Sequence, residues 1–344
     1  MSKNYGVILD DVFASHLVPT GHPERPERIQ SILEKLERWQ GFSQLKIMPV
    51  LSALEEWILD VHTQEHFDRV KSTAGQTTHQ FDSDTYTSQC SFDIALKAAG
   101  SIVSMVEPLL AGEIDNGFAL IRPPGHHAES NRAMGFCLFN NVAVAAQFSI
   151  RSQRVNRVAI VDFDVHHGNG TQEIFYSRSD VLYISTHQYP FYPGGGHFSE
   201  VGAGSGRGFT VNFPILAGME NYFYCSLYSD FILPILTSFQ PELILVSAGY
   251  DAHREDPLSG MNLDGSGFGQ LVNLLNEVAD KICQGRILYI LEGGYNTQVL
   301  SQSILTTVTT TLEPKRFTIE PRQEREYKKY QDQIKPLLVP YWKL

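Results

Sequence analysis

Short apolar runs recur along the chain, and each is followed by a segment of helical length. Five runs are rich in β-branched or large aliphatic residues: Phe118–Ile121, Val158–Val161, Val181–Ile184, Leu243–Val246 and Ile287–Leu291. Since they do not alternate with polar residues, they predict strands buried on both faces, as in a parallel sheet. Amphipathic stretches predict helices at Ile29–Trp39, Asn140–Ser152, Tyr222–Phe239 and Phe268–Cys283. Alternation of strand and helix indicates right-handed βαβ units in one α/β structure.

Polar clusters lie at the carboxyl ends of four of these runs. In chain order the clusters are RPPGHHAE, DFDVHHGNG, SAGYDAH and EGGYN. Ligands of open parallel sheets bind beyond the carboxyl ends of the strands. We therefore expect these four distant segments to converge on one site.

A metal site is the first prediction for this edge. Side chains alternate along an extended chain, so Asp162, Asp164 and His166 are expected to share one side. Buried charges require a cation or strong hydrogen-bond partners. Together with Asp251, the pair Asp164 and His166 leaves one coordination position open, as in catalytic zinc sites. The alternative, acids that cap helices or bind loop amides, suits an isolated Asp better than this convergent set.

Proton transfer and oxyanion binding are the second prediction. His126 and His127 follow Pro-Pro-Gly at a strand end, beside the predicted metal site, which favours a role in proton transfer. Asp162 is a natural orienting partner for one of them. Tyr295 lies in a glycine-rich turn, where its phenol could stabilise the oxyanion of an acyl-transfer reaction. Read alone, a single His or Tyr is more often a packing residue.

Composition narrows the class of protein. The chain has 344 residues, of which 42% are hydrophobic, enough for a large core. The four cysteines are widely spaced without a CxxC pair, which favours reduced thiols. An apolar leader and a run of about 18 apolar residues are both missing, so we expect a cytoplasmic protein without membrane contact. The net charge of −11 disfavours direct nucleic-acid binding and suits cationic substrates such as lysine-rich tails or polyamines.

Five ordered motifs resemble the signature blocks of histone deacetylases and of their bacterial relatives, the histone-deacetylase-like and acetylpolyamine amidohydrolases. They are RPPGHHAE, GFCLFNNVA, DFDVHHGNGTQ, LVSAGYDAH and LEGGYN, and the resemblance extends from HPERPERI to PYW. It implies the arginase/deacetylase fold, a single α/β domain over residues 1–344. In that fold a central eight-stranded parallel sheet is flanked by helices.

The resemblance also implies a reaction, the hydrolysis of acetyl-lysine to lysine and acetate by a metal-dependent amidohydrolase. One zinc ion per chain is implied, although these ligand types suit iron(II) as well. The tandem histidines would activate water and protonate the leaving amine, and the tyrosine would polarise the acetyl carbonyl. The positions that match are Asp164, His166 and Asp251 for zinc, and His126, His127 and Tyr295 for catalysis.

Further positions match by resemblance alone. Those of the substrate tunnel and its rim are Gly135, Phe136, Tyr192, Gly294 and Asp84. Those of a structural potassium site are Asp162, Asp164, His166, Ser185 and Thr186, several through backbone carbonyls. Arg28 falls where the family has an arginine lining an inner acetate-release cavity.

Two positions indicate a class II-like subtype with real activity. Asn169 stands where class I enzymes usually carry Asp, so His127 is a good candidate for staying neutral, and the division of acid and base roles between the histidines stays open. Tyr295 is retained where some weakly active class II relatives have His.

Three alternatives remain at this point. A ureohydrolase of arginase type would use two manganese ions and carry Asp at the position of Gly168, so glycine there favours one metal. A silent module that only binds acetyl-lysine is disfavoured because every catalytic position is filled. An acetylpolyamine amidohydrolase would fit the same motifs. The substrate is therefore an acetylated protein, peptide or polyamine, and the sequence does not indicate an oligomeric state.

Overall fold

The computed structural model describes residues 4–344, so residues 1–3 of the predicted domain lie outside the described residues. Ten strands are present in this part of the chain: β1 (Tyr5–Leu9), β2 (Leu45–Ile47), β3 (His79–Gln80), β4 (Tyr86–Thr87), β5 (Asn116–Leu120), β6 (Val158–Asp162), β7 (Val181–Gln188), β8 (Thr210–Ile215), β9 (Leu243–Ala248) and β10 (Ile287–Leu291). Eight of them form one parallel sheet in the order β2-β1-β5-β10-β9-β6-β7-β8, and β3 pairs with β4 in a separate antiparallel hairpin.

Helices connect these strands. They are α1 (Glu27–Glu37), α2 (Glu55–Leu59), α3 (Gln64–Lys71), α4 (Ser91–Leu110), α5 (Asn141–Arg151), α6 (Asn169–Phe175), α7 (Asn221–Leu227), α8 (Leu233–Phe239), α9 (Gly265–Cys283), α10 (Thr297–Leu312) and α11 (Glu324–Leu338). Side chains of Asn140, Asp264 and Asn296 accept backbone N–H groups at the starts of α5, α9 and α10. These caps satisfy amides that the helix itself leaves without a partner.

The eight-stranded parallel sheet and the single α/β domain are confirmed. Strands β5, β6, β7, β9 and β10 are buried at every position, as their apolar runs predict. Helices α2, α4, α5 and α6 form one packed group, while α1, α10, α9, α7 and α11 form another. Because the strands are buried on both faces, one group covers each face of the sheet.

Some elements differ from the prediction. Strands β1, β2 and β8 were not predicted, because β2 has only three residues and β8 carries Asn212 and Pro214 within its six. The predicted helix Tyr222–Phe239 is α7 and α8 joined by one π-helical segment, Tyr228–Ile232. Helix α9 starts at Gly265 rather than Phe268, since the Asp264 cap lies three residues earlier than the apolar pattern shows.

A buried ion cluster ties the loop before α1 to the end of β5. The Glu24 carboxylate accepts hydrogen bonds from Arg28 Nη1 (2.9 Å) and Arg122 Nη2 (2.8 Å), and all three side chains have no exposed surface. Burial alone would raise the pKa of Glu24, but the two guanidinium groups outweigh it and hold that pKa well below its usual range. Arg122 also donates to the carbonyls of Phe13 and His16. The cluster therefore anchors the start of the RPPGHHAE segment in the core.

His62 makes the fold sensitive to acid. Its Nε2 accepts the Asn140 N–H at 2.8 Å, so its Nδ1 donates to the Glu129 carbonyl at 3.0 Å. Burial lowers the pKa of His62 to about 3, whereas an unfolded histidine titrates near about 6.5. Between these values the unfolded chain binds a proton that the native protein does not. Stability is therefore lost as the pH falls through this window.

We predict that His62→Asn makes the free energy of unfolding less dependent on pH. Removing this one titration should reduce the slope between about pH 6 and about pH 4 by roughly 1.4 kcal/mol per pH unit. The measurement is urea unfolding at several pH values across that range. His79→Asn, on the partly exposed hairpin strand β3, is the matched control and should keep the wild-type slope. An unchanged slope in His62→Asn would contradict the assignment.

Candidate active site

The polar clusters that follow β5, β6, β9 and β10 meet at one edge of the sheet, as the sequence predicts. Asp164, His166 and Asp251 lie directly beyond β6 and β9, and one ligand atom from each lies within 4.8 Å of the others. His166 Nδ1 is 3.1 Å from Asp164 Oδ1 and 3.1 Å from Asp251 Oδ2. All three residues are buried. This is the one group of metal-ligand type found among residues 4–344.

This group fits a divalent cation by its chemistry. Two buried carboxylates lie close together, and burial together with the Asp164 charge raises the pKa of Asp251 to about 7. Their outer lone pairs are taken by backbone amides: Val165 N–H donates to Asp251 Oδ1 at 2.9 Å, and Gly293 N–H donates to Asp164 Oδ2 at 2.7 Å. One imidazole nitrogen and two carboxylate oxygens are ligands that zinc binds in catalytic sites. The residues present therefore suit zinc.

Asp162 lies outside the group of metal-ligand type, and the extended conformation expected through Asp164 and His166 is wrong. Strand β6 ends at Asp162, and the chain bends at Asp164–His166 instead of continuing extended. Asp162 Oδ2 instead lies 3.0 Å from His126 Nδ1 and accepts a hydrogen bond from the Tyr183 hydroxyl at 3.1 Å. Asp162 is thus placed to orient one of the tandem histidines.

The two histidines have opposite electrostatic surroundings although their ring centres are only 4.0 Å apart. Burial opposes protonation of His126, but the carboxylates of Asp162, Asp164 and Glu292 outweigh it and raise its pKa to about 10. For His127, burial and then the charges of His126 and His166 hold the pKa well below its usual range. Its Nδ1 lies 2.9 Å from Asn169 Oδ1. The surroundings of His126 therefore favour a charged imidazole, and those of His127 favour a neutral one.

Tyr295 is held on its turn by its backbone and by its ring. Its N–H donates to Asp256 Oδ2 at 2.6 Å, and the Arg28 guanidinium lies 5.0 Å from the ring centre. Arg28 in turn donates to the carbonyls of Glu292 and Gly294. Burial, followed by the charges of Asp251 and Asp164, raises the pKa of the phenol well above its usual value. Tyr295 therefore stays a hydrogen-bond donor.

A cavity of about 580 Å³ opens onto these groups. It is lined mainly by apolar and aromatic side chains, and its lining includes His127, His166, Tyr295, Phe136, Tyr192, Phe191, Leu258 and Asp84. The Phe136 ring packs edge-on against Tyr295 at 5.8 Å, and the Tyr192 ring packs edge-on against His127 at 5.2 Å. Of the predicted tunnel and rim residues, Gly135, Phe136, Tyr192 and Asp84 thus line one cavity, whereas Gly294 does not.

One of the two predicted glycines, Gly135, lets the backbone approach this site, whereas a Cβ at Gly294 would meet Leu300 and Tyr250. Gly135 and Gly294 both have positive φ, +57° and +116°, where other residues are strained. A Cβ at Gly135 would overlap the His127 ring. Gly135 therefore allows the Phe136 turn to pack directly on the tandem histidines.

Asp84 lies at the rim, on the loop of the β3–β4 hairpin. His22 Nε2 lies 2.9 Å from the Asp84 carbonyl, and the His22 ring packs edge-on against Phe136 at 4.8 Å. Burial, then Asp82, raises the pKa of Asp84 to about 6. His22 was not predicted as a site residue, although it stands in the HPERPERI segment.

Three of the positions that resemble a potassium site, Asp162, Ser185 and Thr186, are neighbours in the sheet, and Asp164 and His166 follow directly after β6. Asp162 of β6 pairs in register with Ser185 of β7, and Thr186 Oγ1 donates to the Asp162 carbonyl at 3.3 Å. Ser185 Oγ lies 2.8 Å from His187 Nδ1. Potassium binding here stays a prediction.

Sequence reasoning missed three supporting carboxylates. Glu292 Oε2 accepts the backbone N–H groups of Gly125 (2.7 Å) and His126 (3.2 Å), so it joins the tyrosine turn to the tandem histidines. Asp256 holds Tyr295, and Glu129 accepts from Asn169. Each lies inside or next to a motif, but only their spatial position distinguishes them from surface acids.

We predict that Gly293→Ala removes metal binding. A Cβ at Gly293 would overlap the nearest carboxylate oxygens of both Asp164 and Asp251. Metal content of the purified chain, measured by elemental analysis, should fall from about one ion to well below one. Gly265→Ala is the control, because nothing lies within 4 Å of a Cβ at that position. Full metal content in Gly293→Ala would contradict the assigned ligands.

The chain resembles proteins of known family. A family model described as the histone deacetylase domain matches residues 22–311. A probable deacetylase of Archaeoglobus fulgidus is 38% identical over 298 residues, covering 85% of this chain and 82% of that protein. The histone deacetylase-like amidohydrolase of Pseudomonas aeruginosa is 38% identical, covering 80% of this chain and 73% of that protein.

A plant protein and a solved structure extend this comparison. Histone deacetylase 5 of Arabidopsis thaliana is 40% identical over 92% of this chain, which spans 50% of that longer protein. The crystal structure of the HDA15 HD domain superimposes with a TM-score of 0.93 at 36% identity, covering 98% of this chain and 97% of that one. The helices of residues 4–344 are all too short or too polar to cross a membrane.

Proposed function

This chain belongs to the histone deacetylase family and is a metal-dependent amidohydrolase; from that premise we propose that it uses zinc to hydrolyse acetyl-lysine side chains to lysine and acetate. The observation that carries the proposal is the convergence of Asp164, His166 and Asp251 beside a cavity that His127 and Tyr295 also line.

Asp164, His166 and Asp251 would hold the metal. A zinc ion bound there supplies a Lewis acid that polarises the acetyl oxygen and lowers the pKa of water. The donor set of two carboxylates and one imidazole leaves room for substrate or water. Gly168 supports a single ion, because a Cβ there would already overlap Asp162 Oδ2 and approach the Tyr183 hydroxyl.

The tandem histidines would divide the proton transfers. His127 lines the cavity and is held neutral, so it takes a proton from the attacking water and returns it to the departing amine. His126 is held charged by its carboxylate neighbours, so it stabilises the negative charge that develops during attack. This division assigns the two roles that the sequence leaves open.

Tyr295 would stabilise the oxyanion. Its raised pKa keeps the phenol protonated, and the Asp256 hydrogen bond to its N–H fixes the turn that carries it. A fixed donor in a buried site stabilises developing charge without reorganisation.

The cavity walls would select an extended aliphatic stem. Phe136 and Tyr192 would enclose the lysine methylene groups and exclude water, and Asp84 would accept hydrogen bonds from the substrate at the rim. Among the described residues that line the cavity, Asp84 is the one carboxylate, and Leu258 adds to the apolar lining. That rim suits a peptide with one buried stem.

An acetylpolyamine is the second candidate substrate. The net charge of −11 and Asp84 would both attract a polyamine cation. The two candidates differ in what lies outside the cavity, a peptide backbone in one case and a second amine in the other.

We predict that Tyr295→Phe lowers kcat on an acetyl-lysine peptide by about 100- to 1000-fold, the usual effect of removing one oxyanion donor. The KM and the metal content should change little, because neither depends on the hydroxyl. Tyr330→Phe is the control, since its buried hydroxyl has no hydrogen-bond partner within the described chain. Full activity of Tyr295→Phe would exclude the assigned role.

A substrate panel tests the class of substrate. We expect acetyl-lysine peptides to give a higher kcat/KM than N-acetylputrescine, and Asp84→Asn to raise the KM for the peptide several-fold while kcat stays near that of wild type. Asp332→Asn, an exposed carboxylate on α11, controls for the change in net charge. Faster turnover of N-acetylputrescine would identify a polyamine amidohydrolase instead.

A further inference from the structure

We propose that Glu129 is a positioning residue that fixes the proton of His127 through the side-chain amide of Asn169. The effect of Glu129 on kcat rests on the proposed function. The hydrogen bonds that join Glu129, Asn169 and His127 do not depend on the substrate. His127 Nδ1 lies 2.9 Å from Asn169 Oδ1, and Asn169 Nδ2 donates to Glu129 Oε1 at 2.8 Å. The three side chains form one continuous hydrogen-bonded line.

The orientation of the Asn169 amide follows from what surrounds its nitrogen. The Nδ2 group faces Glu129 Oε1 at 2.8 Å, the His127 carbonyl at 3.4 Å and Met134 Sδ at 3.3 Å. All three are acceptors, and an ionised carboxylate has no proton to donate. Only the amide NH₂ can occupy this position, so the amide carbonyl is the group that faces His127.

The tautomer of His127 follows from that orientation. An amide carbonyl only accepts, so His127 Nδ1 must carry the hydrogen, and in the neutral ring Nε2 keeps its lone pair. Since His127 lines the cavity, this ring is available to take a proton there. With the amide reversed, the Asn169 NH₂ would face Nδ1, and the hydrogen would move to Nε2 and block that proton transfer.

An aspartate at position 169 would not need such a partner. Both oxygens of a carboxylate accept, so either face of it would give the same His127 tautomer. The asparagine side chain has a carbonyl on one side and an NH₂ group on the other, so a second residue must fix which of them points to His127. Glu129 makes this choice because its carboxylate binds the NH₂ side.

Glu129 is itself held in place. Its backbone N–H donates to the Arg132 carbonyl at 3.0 Å, and its carboxylate accepts from Arg132 Nη2 at 3.0 Å. Its carbonyl accepts from buried His62. Arg132 Nη2 also lies 3.1 Å from Glu129 Oε1, the oxygen that accepts from Asn169. Arg132 is more than half exposed and joins this line only through Glu129, so Arg132→Gln is a matched control that removes the support of Glu129 and keeps its carboxylate.

Steady-state kinetics on an acetyl-lysine peptide test the proposal. Glu129→Ala should lower kcat by about 10-fold or more with little change in KM, as for other residues that orient a catalytic group. Glu129→Gln, whose Oε1 can still accept from Asn169, should retain most of kcat, and so should Arg132→Gln. A loss in Arg132→Gln equal to that in Glu129→Ala would overturn the proposal.

The decisive variant is Asn169→Asp in two backgrounds. With Glu129 present it places two carboxylates 2.8 Å apart, the present amide-to-carboxylate distance, and should lower kcat. In the Glu129→Ala background it should restore kcat, because a carboxylate presents an acceptor to His127 in either orientation. If Asn169→Asp changes kcat by the same factor in both backgrounds, Glu129 does not act through residue 169.

Long-range ¹H–¹⁵N spectra of histidine-labelled protein read the tautomer directly, without any substrate. His127 should be protonated at Nδ1 in wild type and Arg132→Gln, and partly or wholly at Nε2 in Glu129→Ala. An unchanged Nδ1–H form in Glu129→Ala would overturn the proposal. If wild type hydrolyses none of the acetylated amines, the proposed function fails, while these spectra still decide the role of Glu129.

Discussion

The structure depends on how it accommodates buried negative charge at one edge of its sheet. Asp162, Asp164, Asp251 and Glu292 are at most 1% exposed, and unpaired buried carboxylates are strongly destabilising. Backbone amides from the same loops meet much of this charge, including those of Asp164, Val165, His166, Gly125 and Gly293. The loop conformations therefore depend on the carboxylates that they enclose. A divalent cation would compensate the negative charge that the backbone amides do not.

Unequal neighbours allow two adjacent histidines to take different roles. His126 faces the carboxylate of Asp162, whereas His127 faces the amide of Asn169. The amide carries no negative charge, but its carbonyl still holds the hydrogen on His127 Nδ1. Glu129 sets the orientation of the Asn169 amide. The Glu129 carboxylate thereby fixes the direction of the hydrogen bond to His127 without lying next to the imidazole ring. Orientation and basicity are thus controlled by separate residues in this site.

Local pattern was sufficient for the centre of the fold and for the main site. Buried runs predict β5, β6, β9 and β10, and the motifs at their ends contain the metal-ligand group, the tandem histidines and Tyr295. The local sequence pattern was insufficient where contacts between distant parts of the chain determine the structure. β2 is a short edge strand, and Asp162 contacts His126 and Tyr183 rather than joining the metal-ligand group. Glu129, Asp256 and Glu292 gain significance only from the distant amides they bind, which no spacing rule reveals.

The absence of a side chain at Gly168 constrains how this scaffold can change over evolution. Space beside that backbone is already taken by Asp162 and the Tyr183 hydroxyl, both of which serve the tandem-histidine side of the site. A lineage that acquired a carboxylate there for a second ion would have to relocate both neighbours at once and would lose the partner of His126. In this structure a side chain at position 168 therefore requires compensating changes at Asp162 and Tyr183.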